Sequence, residues 1–600
     1  MYVITVIPIS RGIGKETLSY FTGSTVELGS LVRVPLRKKD IDALVIGIED
    51  ARDMKAQIRS ATYTLRKVEK LVSKPFLPEA FMKTVQEVAS FHAATIGATL
   101  NVLLPKKILA KLSDSEIFHL PSKTSPSSRD LPTSPAKKKT DSKKDRVTEK
   151  TVAGTLTERI NQYEKLFTDH ASTISAVIVV PTLERQRTLK KLFSIPVLLP
   201  SALIEIPLDA SLIIIEDINA QSYKSISRPF IDFRHALRIF AEQTGASVLA
   251  GQESLDPRII KGLELHVKEN DRPFTSVGKY LERDIKRLKE TPGHLFILGS
   301  RKGHSGTVLC QDCGHSVQCS RCDSPLTLHL KSVKEDYNNL LCHHCGYKTT
   351  ALMKCEGCGS WRLKAFGLGI EKIEEDVKAL CKKHHIDAYI QRLDSTLKLT
   401  PKRIRDFVQT HYEKETSILI GTELALPYLV DATLEGHRNT ASYVASLDTL
   451  LSLPDFSINE KIWRLACQLD DITSERVAIQ TRDTNHPLLR YWAKNEEKEF
   501  WKQELEERTA FNYPPHGVFI KITVKGKKEK IGREMKAIEE QIKAWKPMIF
   551  PAFIKAINNQ HILHALVTLP KEAWPNKELS GILLSLSPSV TVEVNPRSLL

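Results

Sequence analysis

The stretch SRKGHSGTVLCQDCGHSVQCSRCDSPLTLH, residues 300–329, is followed by LLCHHCGYKT at 340–349 and KCEGCGSW at 354–361. Together they hold eight of the ten cysteines of the chain, Cys310, Cys313, Cys319, Cys322, Cys342, Cys345, Cys355 and Cys358, all as CxxC pairs. A CxxC turn brings two sulfurs to one ion, and Zn²⁺ takes four thiolates tetrahedrally, so four pairs predict two closed Cys₄ zinc sites. Such sites leave no position open for water and hold a fold rather than hydrolyse a substrate. Disulfides are the rival reading. No secretory signal is visible at the N-terminus, and elsewhere the chain has only Cys381 and Cys467, so reduced, metal-binding thiols are expected. The pairs can be matched in three ways, which spacing does not settle. His315, His343 and His344 lie among them but are not needed as ligands beside eight thiolates.

On either side of this segment, helix-like stretches alternate with short apolar runs at 175–180, 212–215, 247–250, 295–298 and 417–420. That alternation predicts parallel sheets covered by helices. Residues 1–105 read as a small mixed β/α domain, with strand patterns near 2–8, 30–35 and 43–48 and a helical pattern over 78–94. Residues 106–150 hold a basic stretch rich in Ser, Pro and Lys without hydrophobic period, which predicts a flexible linker. A first lobe is expected over 151–285 and a second over 286–500, interrupted by the Cys-rich insert at 306–361. Residues 501–600 suggest a C-terminal α+β domain, with strands near 518–524 and 562–568.

Composition limits the function. The 600 residues carry 87 Lys+Arg against 71 Asp+Glu, a formal charge of +16. Clustered cations attract phosphate backbones, and Arg33, Arg37, Lys38 and Lys39 form one such cluster. The apolar runs, such as 174–181, fall far short of the ~20 residues that span a bilayer. With no signal peptide visible, a soluble cytoplasmic protein is expected.

The Cys-rich stretches, with RLKAFGLGIEKIEEDVKAL at 362–380, resemble the primosomal replication-restart helicases of the PriA family. RVPLRKKD at 33–40, LIIIEDINAQSYKS at 212–225, SLPDFSINEKIWRL at 452–465, NHPLL, NYPPHG and the terminal VEVNPRSLL extend the resemblance over nearly the whole chain. It implies a 3′-end DNA-binding domain, two RecA-like lobes, recognition of stalled forks and D-loops, 3′-to-5′ unwinding, and recruitment of primosome and replisome proteins. It also implies that the outer pairs, Cys310, Cys313, Cys355 and Cys358, share one zinc, and the inner pairs, Cys319, Cys322, Cys342 and Cys345, the other. The winged helix that the family places after its first domain is missing from the short 106–150 segment.

The motor motifs depart from the family. An ATPase needs a Gly-rich loop whose amides and Lys cradle phosphates. The corresponding stretch, TVAGTLTE at 151–158, has one Gly and no Lys. Motif II keeps Glu216 and Asp217 but continues with Ile218 and Asn219 instead of the acid and His of DEEH. GQESLD at 251–256 replaces GSATPS, and QLDDITSE at 468–475 replaces QVAGRAGR, with Ile472 and Glu475 at the arginine positions. GTELA at 421–425 begins like motif V without its continuation. ATP and Mg²⁺ binding is therefore not expected, and no catalytic residue is assigned.

For DNA, the family's terminal-nucleotide pocket maps onto Leu18-Ser19-Tyr20, where Tyr20 could stack on a base and Ser19 replaces an acid; the competing reading places Tyr20 in the domain core. Tyr223, Lys224 and Arg228 keep the aromatic and basic character of the family's single-strand-binding loop. The expectation is a PriA-like protein that binds branched DNA in replication restart without ATP hydrolysis. The alternatives are an active ATP-dependent helicase with an atypical phosphate loop, and a zinc-held protein-docking adaptor that binds DNA only nonspecifically.

Overall fold

The computed structural model describes residues 1–11, 16–36, 39–53, 65–105, 108–109, 149–170, 174–253, 264–267, 278–299, 307–310, 312, 317, 320, 326–329, 339–341, 347–350, 354–366, 370–451, 455–481, 486–494, 496–552 and 561–599. The fold is multidomain α/β, and the chain divides into two compact units. One comprises Met1–Val152, Leu166–Gln252 and Lys571–Arg597; the other comprises Ala153–Lys165, Glu253–Pro570 and Ser598–Leu600.

The first unit opens with β1 (Tyr2–Pro8), β2 (Leu18–Thr22), β3 (Leu31–Leu36), β4 (Lys39–Asp50), β5 (Arg66–Lys67) and β6 (Lys70–Ser73). They form one sheet in the order β5-β2-β1-β4-β3-β6, mostly antiparallel. Ile4, Val6, Tyr20, Val32 and Val34 build the core on one face. On the other, Ile7, Leu31 and Leu44 meet α1 (Glu79–Phe91) and α2 (Ile96–Leu103). The apolar spacing of α1 turns Phe81, Val85 and Val88 inward. Thr95 caps α2, its side chain accepting from the Ala98 amide. A Cβ at Gly97 would lie 2.1 Å from the Pro8 carbonyl oxygen, so only glycine lets α2 approach β1 this closely.

The same core continues into a sheet of β7 (Glu149–Ala153), β8 (Ala176–Val179), β9 (Val197–Leu198), β10 (Leu212–Ile215) and β11 (Ser247–Gln252), ordered β7-β11-β10-β8-β9, in which β8 to β11 pair parallel. AVIV in β8 is buried throughout and LIII in β10 almost so, as strands with two covered faces must be. The helices here are α4 (Leu183–Leu192) and α5 (Phe233–Thr244), while α3 (Leu156–Asp169) belongs for most of its length to the second unit. Asp232 caps the start of α5, and Gly245, at φ 76°, ends it.

The second unit holds β12 (Glu264–Val267), β13 (His294–Leu298), an inserted antiparallel sheet of β14 (Thr307–Cys310), β15 (Thr327–His329), β16 (Asn339–Leu341), β17 (Lys348–Thr350) and β18 (Leu363–Phe366), then β19 (Tyr389–Leu393), β20 (Ser417–Gly421), β21 (Asn439–Val444) and β22 (Thr473–Thr481). The parallel sheet is ordered β12-β22-β21-β13-β20-β19, and the insert β17-β16-β15-β14-β18. Its helices include α6 (Ile370–His384) and α7 (Ile458–Asp471). Toward the C-terminus, β23 (Gly517–Gly526) and β24 (Met548–Pro551) both pair antiparallel with β25 (His561–Pro570). Among the described residues no helix is long and apolar enough to cross a membrane.

Candidate metal centre, phosphate site and nucleic-acid loop

β14 ends on Cys310, and its antiparallel partner β18 begins five residues after Cys358, so strand pairing brings distant cysteines to one end of the insert. The sulfurs of Cys310, Cys355 and Cys358 lie within 4.8 Å of one another, with Cys310 Sγ 3.5 Å from Cys358 Sγ. A tetrahedral thiolate site with Zn–S near 2.3 Å requires sulfurs ~3.8 Å apart, so the three are spaced to share one ion. The turn between Cys355 and Cys358 closes through Gly359 N–H donating to Cys355 O at 2.7 Å, with Gly359 at φ 73°. Asp312 ties the two arms together by accepting from Ser360 Oγ and, at 2.9 Å, from Arg362 Nη1. Cys310 and Cys355 are buried and Cys358 is exposed. Cys313, Cys319, Cys322, Cys342 and Cys345 lie outside the described residues, as do His315, His343 and His344.

At the position of the phosphate loop, β7 runs through Gly154 into α3. The amides that open such a helix have no intrahelical acceptor and are the groups that would cradle a phosphate. Here they meet carboxylates. Thr155 N–H donates to Glu158 Oε2 at 2.8 Å, and Glu158 N–H returns to Thr155 Oγ1 at 3.3 Å, a reciprocal capping box. Leu156 N–H donates to Asp471 Oδ2 at 3.2 Å. Arg159, 2% exposed, turns Nη1 back onto Gly154 O at 2.6 Å. Two acids thus stand where a triphosphate would bring further negative charge. At a separation near 4 Å each such pair costs roughly 1–4 kcal/mol in effective dielectrics of ~80 to ~20.

The other motif positions are engaged within the protein. Glu216 follows β10 at 0% exposure and pairs with Arg185 Nη1 of α4 at 3.0 Å. Asp217 adopts φ 51°. Gln468 Nε2 donates to Glu253 Oε1, Ile472 is buried, and Glu475 is held by Arg287 Nη1 at 2.6 Å.

The residues expected to meet DNA are distributed differently. Tyr20 is 4% exposed, packs in the N-terminal core and donates its hydroxyl to Pro35 O at 3.1 Å; burial raises its pKa and the nearby Arg66 opposes that. Ser19, its neighbour in β2, is half-buried opposite Thr5. Arg33 pairs with Asp42 at 3.0 Å, and Lys39 is exposed at the start of β4. Arg37 and Lys38 lie outside the described residues.

Tyr223 is fully buried, its hydroxyl 2.8 Å from Val179 O and 2.7 Å from Glu216 O, and so anchors its loop to the ends of β8 and β10. Lys224 and Arg228 both reach the segment 588–597: Lys224 Nζ donates to Asn595 O, and Arg228 donates to Pro588 O, Ser589 O and Thr591 Oγ1. Burial pushes the Lys224 ammonium down to about 8, with Asp232 opposing. Sequence reading had no signal for Arg185, Asp471 or Arg597 as partners at these sites. The Thr155-x-x-Glu158 pattern was the one local clue, being a capping-box sequence.

Residues 6–105 match the 3'DNA-binding domain (3'BD) of PriA. The replication restart protein PriA of Borreliella burgdorferi is 27% identical over 325 residues, 53% of this chain and 45% of that protein. PriA of Haemophilus influenzae is 29% identical over 255 residues, 41% of this chain and 33% of its own. PriA of Thermotoga maritima is 26% identical over 264 residues, 43% and 34% respectively. The aligned part therefore spans less than half the length of these relatives. The RNA helicase Prp28 of Chaetomium thermophilum, solved bound to ADP, matches over 62% of this chain and 81% of its own at 9% identity and a TM-score of 0.16.

Proposed function

We propose, from the premise that this chain is a divergent relative of the PriA replication restart proteins, that it binds branched DNA, stalled forks and D-loops, in replication restart without hydrolysing ATP. One observation carries the second half of this reading: the opening amides of α3 already donate to Glu158 and Asp471. Nucleotide binding would have to displace both carboxylates, and no lysine in 151–158 would compensate the triphosphate. The pairing of Glu216 with Arg185 supports the same view, because a carboxylate neutralised by a buried guanidinium is a poor ligand for Mg²⁺.

Residues 1–105 act as the 3′-end-binding domain, 106–150 as a linker, 151–285 and 286–500 as RecA-like lobes retained as a scaffold, and 501–600 as the C-terminal domain. Two zinc ions hold the insert, one on Cys310, Cys313, Cys355 and Cys358 and one on Cys319, Cys322, Cys342 and Cys345. Bound there, zinc supplies structural cross-links. The closeness of Cys310, Cys355 and Cys358 supports the outer pairing. Arg33, Arg37, Lys38, Lys39, Lys224 and Arg228 supply contacts to the DNA backbone, with Tyr20 anchoring the N-terminal sheet and Tyr223 the loop that carries Lys224 and Arg228. The partners are primosome and replisome proteins, and the address is cytoplasmic.

Fork binding and DNA-stimulated phosphate release measured on one zinc-loaded preparation test the reading. A fork should be preferred over matched duplex and single strand at fixed salt, with no phosphate released. Turnover abolished by Glu216→Gln with Asp217→Asn would refute it.

A further inference from the structure

The loop from 221 to 232 and the segment 588–597 belong to the same compact unit and are joined by reciprocal hydrogen bonds. Lys224 donates to Asn595 O, Arg597 Nη2 donates back to Lys224 O, and Arg228 reaches Pro588 O, Ser589 O and Thr591 Oγ1. All but one of these acceptors are backbone carbonyls. A carbonyl satisfies an N–H donor but leaves the positive charge of its side chain uncancelled. Lys224, Arg228, Arg234 and Arg597 lie together with the acids Asp232 and Glu593, 4 − 2 = +2. Loop and tail together line a cavity of about 220 Å³ that includes Lys224, Phe230, Glu593 and Arg597. At the loop tip, Ile226 is 88% exposed.

We infer that residues 588–597 are an internal competitor for nucleic acid: their carbonyl oxygens occupy the donors of Lys224 and Arg228 that the phosphate oxygens of a single strand would take. The inference rests on the DNA-binding reading above and adds to it a device that keeps the loop closed until a polyanion arrives. The exchange favours DNA because a phosphate oxygen brings a full negative charge that a carbonyl lacks, and its binding releases counterions from the strand. A neutral ligand could not release the tail in this way.

The test uses the full zinc-loaded chain, an oligothymidine and a forked DNA at one salt concentration. Arg597→Ala and Thr591→Val each remove a tail contact while keeping Lys224 and Arg228. Both should tighten oligothymidine binding by about threefold or more, and amides in 588–597 should exchange faster in the complex than in the free protein. Unchanged affinity in both variants overturns the inference. So does weaker binding by Arg597→Ala with a salt dependence reduced by about one ion, which would make Arg597 a phosphate contact. If forks bind while 588–597 stays equally protected, the tail mechanism alone fails. If neither DNA binds, the DNA-binding reading fails with it.

Discussion

Arg185 and Glu216 meet at 3.0 Å with 5% and 0% of their side chains exposed, the guanidinium from α4 reaching the carboxylate that follows β10. Thirty-one residues separate them in the chain. Both ions are out of water, so their mutual attraction offsets the cost of desolvating them. The acid of a nucleotide-dependent motor must instead stay available to a metal ion and its water.

Glu216→Ala leaves that guanidinium buried without its carboxylate. The region 176–252 should lose about 3–5 kcal/mol of local stability, whereas Arg185→Met combined with Glu216→Leu should recover most of it. Native-state hydrogen exchange across β8, β10 and β11 measures both. Equal protection in wild type and Glu216→Ala would show that the pair does not support the sheet.

Carboxylates on the opening amides of α3 predict that nucleotide does not stabilise the protein. A ligand at its own Kd stabilises by only about 0.4 kcal/mol, whereas one at a thousandfold excess gives ~4 kcal/mol. Millimolar Mg-ATP should therefore leave the thermal unfolding curve in place. An upward shift of several degrees would mean micromolar binding.

Cys310→Ser should lower the metal content by one ion per chain, read by native mass spectrometry. Cys381→Ser should leave it unchanged. Cys381 is buried in the core of the second parallel sheet, and burial pushes its thiol up to about 11, away from the thiolate that a metal needs. Loss of metal from both variants, or from neither, would contradict the assignment of Cys310.

His411 predicts an acid-sensitive second unit. It is fully buried, Nε2 lying 2.8 Å from Asn439 Oδ1 and Nδ1 2.7 Å from Ser417 Oγ, and burial pushes its pKa down to about 3. The unfolded chain takes up this proton near pH 6.5. The stability from a neutral His411 is thus complete above pH 6.5 and is lost as pH falls toward 3. Between those limits it falls by about 1.4 kcal/mol per pH unit. Hydrogen exchange of β20 and β21 at pH 6 and pH 5 checks this, and His411→Gln should lessen the pH dependence by that amount.

Much of the fold was legible because its signals are local. The buried runs at 212–215, 247–250 and 417–420 coincide with β10, β11 and β20, and the helical pattern over 78–94 contains α1. Long, unmixed apolar runs mark strands covered on both faces wherever they occur. The site was legible only in part. Missing lysines and arginines, and the acids that stand near their places at Glu158, Asp470 and Asp471, can be read from a sequence, but the amides that Glu158 and Asp471 meet cannot. Residue type left Tyr20 open to a base-stacking or a core role and gave Tyr223 only the aromatic character of its loop, while packing puts both in the interior, with hydroxyls on backbone oxygens.

By itself the sequence determined the cysteine pairs, the alternation of strands and helices, and the absence of lysine from 151–158, because each is written within a few consecutive residues. Only the tertiary structure decided that Asp471 meets the Leu156 amide across 315 residues, that Arg185 neutralises Glu216, and that Lys224 and Arg228 grip residues near the C-terminus. Side-chain partners so far apart are chosen by how sheets and helices pack, and packing depends on the whole chain at once.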